Sequence, residues 1–337
     1  MARYDLAVIG GGPAGLSAAM YGGLRGLSTA VFEAEAFGGQ LINLYPTKPV
    51  TNFPAHAEIA SRDIALRLAE QAGRFGADLF EWRPVELVSR DGGEFVIRAG
   101  GGARAGDDSA SGVGDGDASG VHGGASGGDE TRAGALVLAL GLGRFTPRRL
   151  GLADEERFEG KGLAYRLPPL DEIRARHVVV VGGGDSALDT ALSLRTVAEV
   201  TIVHRREAFS AYAFSQQRLA EADIRLITGG EIVGLAGRDR LERVIVSLAD
   251  QATLECPADL LVVSIGQVPD LRGVERWKLG IGDSRLSVNS AMAAATAGLF
   301  AAGDFAEYPG KVKMIATAVA EGSTAAASAE RYLMSLS

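Results

Sequence analysis

The sequence predicts an α/β fold built from two Rossmann-like units. Apolar runs that do not alternate with polar residues recur along the 337-residue chain, which is typical of parallel strands covered by helices on both faces. Helical patterns separate these runs, as βαβ units require. Two of the runs lead into a glycine-rich turn that opens a helix, and this is the local signature of a doubly wound α/β unit.

Seven short apolar runs are the predicted strands of these units. They are Leu6–Ile9, Thr29–Phe32, Leu136–Leu140, Val178–Val181, Val200–Val203, Leu260–Ile265 and Leu299–Ala302. Predicted helices lie at Gly15–Leu24, Ile59–Phe75 and Ser186–Leu194.

The composition excludes several classes of protein. The only cysteine is Cys256, so the chain cannot form an intramolecular disulfide or a dithiol redox pair. The four histidines are scattered and predict no metal site. A net charge of −8, without a basic run, argues against nucleic-acid binding. No apolar stretch is long enough to span a bilayer and no signal peptide is recognisable, so we expect a cytoplasmic protein without membrane association.

Residues 99–133 differ in composition from the rest of the chain. They contain twelve glycines and almost no large apolar side chain, so they cannot bury enough surface to offset the entropy of ordering. We expect a flexible, low-complexity surface insert between a strand near residues 94–98 and one near residues 135–140.

The first glycine turn reads G-x-G-x-x-G directly after an apolar run. In this pattern Gly10 permits the tight turn, Gly12 allows the backbone to approach a pyrophosphate, and Gly15 allows close packing of helix on strand. Glu33 ends the next predicted strand, 23 residues after Gly10, where a carboxylate can accept a ribose hydroxyl. The turn and the acid together predict a site for FAD or NAD(H).

A second turn, GGGDSA at residues 182–187, has the same strand–turn–helix context. Its candidate cofactor-binding residues are Gly182, Gly184, Asp185 and Ser186. The strand that follows runs into His204, Arg205 and Arg206, which are further candidates for cofactor binding, and no carboxylate stands at the ribose position. Two guanidinium groups suit a 2′-phosphate, so this second site predicts NADP(H).

A third feature lies near the end of the chain. The apolar run Leu299–Ala302 ends in Gly303 and Asp304. A carboxylate at the carboxyl end of a strand can bind a polyol hydroxyl. The same pattern also fits an ordinary turn residue.

These motifs resemble the thioredoxin-reductase-like ferredoxin/flavodoxin–NADP⁺ reductases, a branch of the low-molecular-weight thioredoxin reductase superfamily. The segments that carry the resemblance are GGQLINLYP at 38–46, EGKGLAY at 159–165, GGGDSA at 182–187, HRR at 204–206 and AAGD through GKVK at 301–313. Thioredoxin reductases have a Cys-x-x-Cys pair just before the second glycine turn, and no cysteine lies there. A dithiol relay within this chain is therefore impossible.

The resemblance implies two domains and their cofactors. An FAD-binding domain would comprise residues 1–156 and 274–337, with an inserted NADP(H)-binding domain at residues 157–273. FAD would lie over Ala14, with Glu33 on the adenosine ribose and the backbone of Val85 at the adenine.

The same resemblance assigns residues to the flavin half of FAD. Gln40 would reach the flavin side of the cofactor, and Tyr45 would stack on the isoalloxazine. Phe145 would pack near the ring, while Asp304 and Thr324 would bind the ribitol and the ring edge.

The implied activity is hydride transfer between NADP(H) and FAD, coupled to single-electron transfer between FAD and a ferredoxin or flavodoxin. The cofactors supply this chemistry, so we assign no catalytic acid or base. The resemblance also implies a homodimer. Two alternatives remain open, namely an NADPH diaphorase or quinone reductase with a different acceptor, and a flavin-based redox sensor.

Three departures from the family pattern bear on these expectations. Ser210 stands where relatives often carry a further phosphate-binding arginine, which weakens the preference for NADPH. The chain stops where many relatives continue with an aromatic side chain that covers the flavin. The insert at residues 99–133 is not part of the family pattern. Docking of an acidic carrier needs a basic patch, for which the candidates are Arg144, Arg148, Arg149, Lys311 and Lys313.

Overall fold

The computed structural model describes residues 1–44, 48–101, 130–168, 170–271, 273–282 and 285–336, and of residues 144, 145, 172 and 269 only the backbone. The chain divides into two compact units. Unit 1 comprises residues 1–144 and 269–337, and unit 2 comprises residues 145–268.

The sequence predicted the unit boundaries after residues 156 and 273. Both boundaries lie earlier in the structure, after residues 144 and 268. Leu150 and Leu152 pack against the buried core of unit 2, and Leu271 packs against a core of unit 1. These apolar contacts place the segment around Leu150 in unit 2 and the segment around Leu271 in unit 1.

The described strands, in chain order, are β1 (Ala2–Ile9), β2 (Thr29–Phe32), β3 (Pro49–Val50), β4 (Ile59–Ala60), β5 (Asp78–Phe80), β6 (Val85–Asp91), β7 (Glu94–Ala99), β8 (Glu130–Leu138), β9 (Arg144–Pro147), β10 (Leu163–Ala164), β11 (His177–Val181), β12 (Glu199–His204), β13 (Arg225–Thr228), β14 (Glu231–Ala236), β15 (Arg243–Ser247), β16 (Thr253–Pro257), β17 (Leu260–Val263), β18 (Gln267–Asp270), β19 (Leu286–Ser287), β20 (Leu299–Ala301) and β21 (Ala306–Glu307). The α-helices are α1 (Pro13–Leu24), α2 (Gln40–Asn43), α3 (Ser61–Arg74), α4 (Glu155–Phe158), α5 (Asp185–Leu194), α6 (Ala213–Ala220) and α7 (Ile315–Met334). Short 3₁₀ turns lie at Leu170–Glu172, Val274–Trp277 and Gly303–Phe305. Within the described ranges, none of the helices is both long and apolar enough to cross a membrane.

Unit 1 is built on one sheet in the order β5-β2-β1-β8-β7-β6, with β20 also pairing with β8. β5, β2, β1, β8 and β20 run parallel, whereas β6, β7 and β8 pair antiparallel. The central strand β1 is buried on both faces from Leu6 to Ile9, as the continuous apolar pattern predicted. The prediction of an α/β fold is confirmed.

The sequence placed both ends of the flexible insert wrongly, because residues on either side of it belong to strands. Glu130–Ala133 form the first half of β8, where Thr131 and Ala133 are buried and Arg132 forms an ion pair with Asp91. Ala99 is likewise buried, as the last residue of β7. Alternating small and polar residues conceal this strand in the sequence. The remainder of the predicted insert, residues 102–129, lies outside the described residues.

The long helix α7 packs against α1 on one side of this sheet. A Cβ atom on Gly322 would lie 2.1 Å from the carbonyl oxygen of Ala14, so no larger residue fits at this crossing. The close approach brings the C-terminal helix to the start of α1.

Unit 2 has a five-stranded parallel sheet in the order β10-β17-β11-β12-β13. A separate antiparallel sheet, β14-β15-β16, joins it through a shared core. The sequence analysis missed this second sheet. Cys256 lies in its core, 1% exposed, and burial raises the pKa of its thiol.

Candidate functional site

The first glycine turn needs glycine at two positions because backbone atoms crowd it. Gly10 has a φ of +103°, and a Cβ atom there would lie 2.3 Å from the carbonyl oxygen of Ala139. A Cβ atom on Gly15 would lie 1.8 Å from the carbonyl oxygen of Gly10. At Gly12, by contrast, no atom of the described residues lies within 4 Å of the Cβ position. The turn therefore has an open face at the N-terminus of α1, where a phosphate can approach the backbone.

Glu33 lies beside this open face. The N–H group of Gly10 donates to the carbonyl of Phe32 at 2.8 Å, which places Glu33 immediately past the turn. The Glu33 carboxylate accepts the N–H groups of Gly11 at 2.6 Å and Glu35 at 2.9 Å. Burial nevertheless raises the pKa of Glu33, with these two hydrogen bonds opposing the shift. Each oxygen retains lone pairs that can accept a ribose hydroxyl.

The segment that precedes Val85 is hydrogen-bonded to the backbone of Glu33. The N–H group of Glu33 donates to the carbonyl of Phe80 at 2.9 Å, and Arg83 N–H donates to the Glu33 carbonyl at 2.8 Å. Val85 follows two residues later and opens β6.

Two residues predicted for the flavin half, Gln40 and Asp304, come together from distant parts of unit 1. The side-chain amide of Gln40 donates to Asp304 Oδ2 at 3.3 Å, across 264 positions of sequence. Ala14 is adjacent, since a Cβ atom on Gly303 would lie 2.9 Å from that of Ala14. In α7, the Thr324 hydroxyl donates to the Ala320 carbonyl at 2.9 Å, and its role at the flavin stays a prediction.

Two predicted residues cannot be placed. Tyr45 lies outside the described residues, and so does the side chain of Phe145. Their predicted roles at the flavin ring stay predictions.

Sequence reasoning missed a buried ion pair behind Asp304. Lys311 and Glu321 have side chains only 7% and 5% exposed, and Lys311 Nζ lies 2.5 Å from Glu321 Oε1. The prediction that Lys311 belongs to a surface patch is therefore wrong. Arg149, another candidate for that patch, forms an ion pair with Glu159 at 2.6 Å.

The second glycine turn repeats the crowding of the first. A Cβ atom on Gly182 would lie 2.3 Å from the carbonyl oxygen of Ser264. Near Gly184, the closest described atom to a Cβ position is Ser210 Oγ, at 3.8 Å. The N-terminus of α5 is thus open in the same way, with Ser186 in its first turn.

His204 occupies the position that Glu33 has in the first turn. The N–H group of Gly182 donates to the carbonyl of Val203 at 3.1 Å, so His204 is the next residue. His204 is 8% exposed, and its ring packs against Gly183, where a Cβ atom would lie 2.1 Å from the ring. Its Nε2 atom lies 3.1 Å from the Ala208 carbonyl. These contacts give His204 a packing role beside the exposed Arg205 and Arg206, and its binding of the cofactor stays a prediction.

The loop that carries these arginines is tied to the turn. Asp185 Oδ1 accepts the Tyr212 N–H at 2.9 Å and the Ser215 hydroxyl at 3.0 Å. Both the N–H and the hydroxyl of Ser210 donate to the Gly183 carbonyl, at 2.8 and 3.2 Å. Asp185 therefore holds the loop, and its binding of the cofactor stays a prediction.

The two sites fit two dinucleotides of different kinds. The first turn offers open helix N–H groups and a carboxylate, as the adenosine half of FAD requires. The second offers open N–H groups and two exposed guanidinium groups, as the adenosine 2′-phosphate of NADP(H) requires.

Comparison with known proteins finds relatives that carry the same name. The chain is 36% identical to the ferredoxin–NADP reductase of Salinispora tropica over 327 residues, covering 96% of this chain and 93% of that protein. It is 31% identical to ferredoxin–NADP reductase 2 of Oceanobacillus iheyensis over 333 residues, covering 98% and 94%.

Solved structures share the fold along the whole chain. The thioredoxin reductase of Lactococcus lactis, in its FR conformation, superimposes with a TM-score of 0.79 at 25% identity, covering 98% of this chain and 99% of that one. The thioredoxin reductase of T. acidophilum, at 22% identity, gives 0.80 with full coverage of both chains and shows the fold alone. A family description, pyridine nucleotide-disulphide oxidoreductase, matches residues 4–322. The chain belongs to the pyridine nucleotide-disulphide oxidoreductase family.

Proposed function

We propose that this chain is a ferredoxin–NADP reductase that binds FAD in unit 1 and NADP(H) in unit 2. The observation that carries the proposal is the pair of glycine turns, which share their geometry and differ in the charge beside them. Glu33 accompanies the first turn, and Arg205 and Arg206 accompany the second. The relatives named ferredoxin–NADP reductase support the same assignment.

FAD, when bound, supplies an isoalloxazine that accepts a hydride and releases electrons singly. The chain's own residues hold the group. The open N–H groups at Gly12 and the start of α1 stabilise the pyrophosphate charge. Glu33 accepts ribose hydroxyls, while Asp304, held by Gln40, accepts hydroxyls of the ribitol chain.

In unit 2, Arg205 and Arg206 bind the adenosine 2′-phosphate of NADP(H). Their loop is held against the second turn by Asp185 and Ser210, so the arginines need little ordering when the phosphate arrives. His204 offers no carboxylate at this position, and its ring packs on Gly183 with Nε2 at the Ala208 carbonyl, which disfavours NAD(H).

The flavin has no dithiol within this chain to reduce, so its electrons pass directly to an external acceptor. The one cysteine of the chain is buried in unit 2, and burial raises the pKa of the thiol. A ferredoxin or a flavodoxin is the carrier that the relatives' names and the family resemblance favour. Assembly as a cytoplasmic homodimer rests on that resemblance, and light scattering of the purified protein tests the dimer.

The experiment that tests this function begins with the colour of the purified protein. We expect a yellow protein that releases FAD on denaturation, is bleached rapidly by NADPH and turns over many times with ferredoxin or flavodoxin. Turnover with quinones only would favour the diaphorase, and bleaching without turnover would favour the sensor. Release of FMN or of no flavin would overturn the proposal. The Cys256→Ser variant is the control, and we expect it to reduce the carrier fully and thioredoxin not at all.

A further inference from the structure

The turn that carries Asp304 is held by a buried ion pair that none of the roles above explains. Glu321 Oε2 accepts the N–H of Gly303 at 2.7 Å, and Lys311 Nζ donates to the carbonyl of the same residue at 2.8 Å. The pair thus satisfies both backbone polar groups of Gly303, the residue directly before Asp304.

The remaining contacts of Glu321 complete a closed network. The Tyr308 hydroxyl donates to Glu321 Oε1 at 2.6 Å, and Lys311 Nζ lies 2.5 Å from each carboxylate oxygen. The hydrogen bond to Glu321, followed by burial, raises the pKa of Tyr308 to about 12. Burying two charges carries a desolvation cost, and apolar residues of similar volume are often as stable in such a place. A contribution to stability is therefore weak grounds for the pair, and its contacts with the Gly303 backbone suggest a second role.

The position of the turn supplies that role. Gly303 has a φ of +72°, and its neighbour Asp304 accepts the amide of Gln40. A Cβ atom on Gly303 would lie 2.9 Å from that of Ala14, in the first turn of α1. Small changes in the backbone at Gly303 would therefore move Asp304 relative to the glycine turn on which the pyrophosphate is proposed to lie.

We propose that Lys311 and Glu321 are positioning residues, which fix the Gly303 backbone so that the Asp304 carboxylate is preorganised for the ribitol of FAD. The inference rests on the proposed function, because it assumes FAD in unit 1. It assigns no chemical step to either residue.

The experiment compares Glu321→Gln, Lys311→Met, the double variant Lys311→Met/Glu321→Leu and the control Glu307→Gln. Glu307 forms an ion pair with Arg285 at 2.6 Å, and its side chain is 49% exposed, so the control removes a nearby charge without removing a hydrogen bond to Gly303. The readouts are the dissociation constant of FAD from the apoprotein, that of NADPH, the melting temperature and hydrogen exchange at Gly303.

We expect Glu321→Gln and Lys311→Met to bind FAD about tenfold or more weakly, because each loses a charge-assisted hydrogen bond to the turn. Gly303 should exchange faster in both variants. Their NADPH affinity should not change, nor should either affinity in the control. In the double variant the melting temperature should recover while FAD affinity stays low.

Two results would overturn the inference. Either both single variants bind FAD like the control, or the double variant recovers FAD affinity together with its melting temperature, which would make the pair purely structural. A wild-type protein that binds no FAD would instead overturn the proposed function, and hydrogen exchange would then show whether Glu321 still holds Gly303.

Discussion

The two glycine turns have the same backbone design, but the residue after the neighbouring strand differs. In unit 1 this residue is Glu33, which bonds to the N–H of Gly11 and keeps acceptor capacity toward the open face. In unit 2 it is His204, whose ring covers Gly183 and leaves the exposed positions to Arg205 and Arg206. Under the proposed assignment, one scaffold would hold two dinucleotides, and the residues that follow the neighbouring strand would decide whether a ribose hydroxyl or a phosphate is recognised.

The turns also differ in how closely the helix packs, and this difference predicts the largest effect. Gly15→Ala places a methyl group 1.8 Å from the Gly10 carbonyl oxygen, whereas unit 2 has Ala187 at the corresponding position. We expect Gly15→Ala to lower the free energy of unfolding by about 3 kcal/mol through overpacking, and to abolish FAD binding. Urea unfolding and flavin content measure both effects.

The control for this comparison is Ala187→Gly in α5. It should cost only about 1 kcal/mol, because it introduces glycine into a helix without a clash. If Gly15→Ala is as stable as this control, then the two turns are packed alike and the comparison fails.

The second prediction concerns the arginines of unit 2. Each charge-assisted phosphate contact contributes about 1.5–3 kcal/mol, so Arg205→Ala/Arg206→Ala should lower kcat/KM for NADPH well over tenfold. Activity with NADH and the FAD content should hardly change. Steady-state kinetics with both nucleotides measure this, with the exposed Arg195→Ala as the matched control. Equal losses with NADPH and NADH would contradict the assignment of the 2′-phosphate.

A smaller effect is expected at Ser210. Ser210→Arg should raise kcat/KM for NADPH by about threefold, because an exposed charge contributes at most about 1 kcal/mol. The backbone N–H bond from residue 210 to Gly183 can persist in this variant. Ser210→Ala, which removes only the hydroxyl, is the control. A lower NADPH efficiency in Ser210→Arg would show that the hydroxyl anchors the loop more than an added charge helps it.

The smallest effect is expected for a connection between two antiparallel strands, which is much longer in unit 1 than in unit 2. Five residues, 248–252, join β15 to β16 in unit 2, whereas residues 102–129 fall between β7 and β8 in unit 1. Replacing 102–129 with a short Gly-Ser link should change stability by about 1 kcal/mol, since loop closure depends weakly on length, and should leave FAD bound. Calorimetry and flavin content measure this.

The wider replacement of residues 99–133 is the contrasting variant. It removes Thr131 and Ala133 from β8, so flavin and stability should both be lost. Flavin retained in this variant would show that the first half of β8 is dispensable.

Local pattern alone determined the parallel strands and both glycine turns, because burial on two faces and a tight backbone turn each constrain consecutive residues. The opposite charges after the two strands were also readable, and so was the absence of a dithiol. The segment Glu130–Ala133 has no apolar run that would predict a strand. It is buried only because β1 and β7 pair with it on either side.

Only the tertiary structure decided which of these residues meet and what each one faces. Gln40 reaches Asp304, and Lys311 turns inward to Glu321 instead of outward to a carrier, because β20 and α7 return to the sheet beside α1. The sequence also did not show that the ring of His204 packs against Gly183, a contact that depends on the register of β12 against β11. A side chain's partners depend on segments far away in the chain, and the sequence near that side chain carries no record of them.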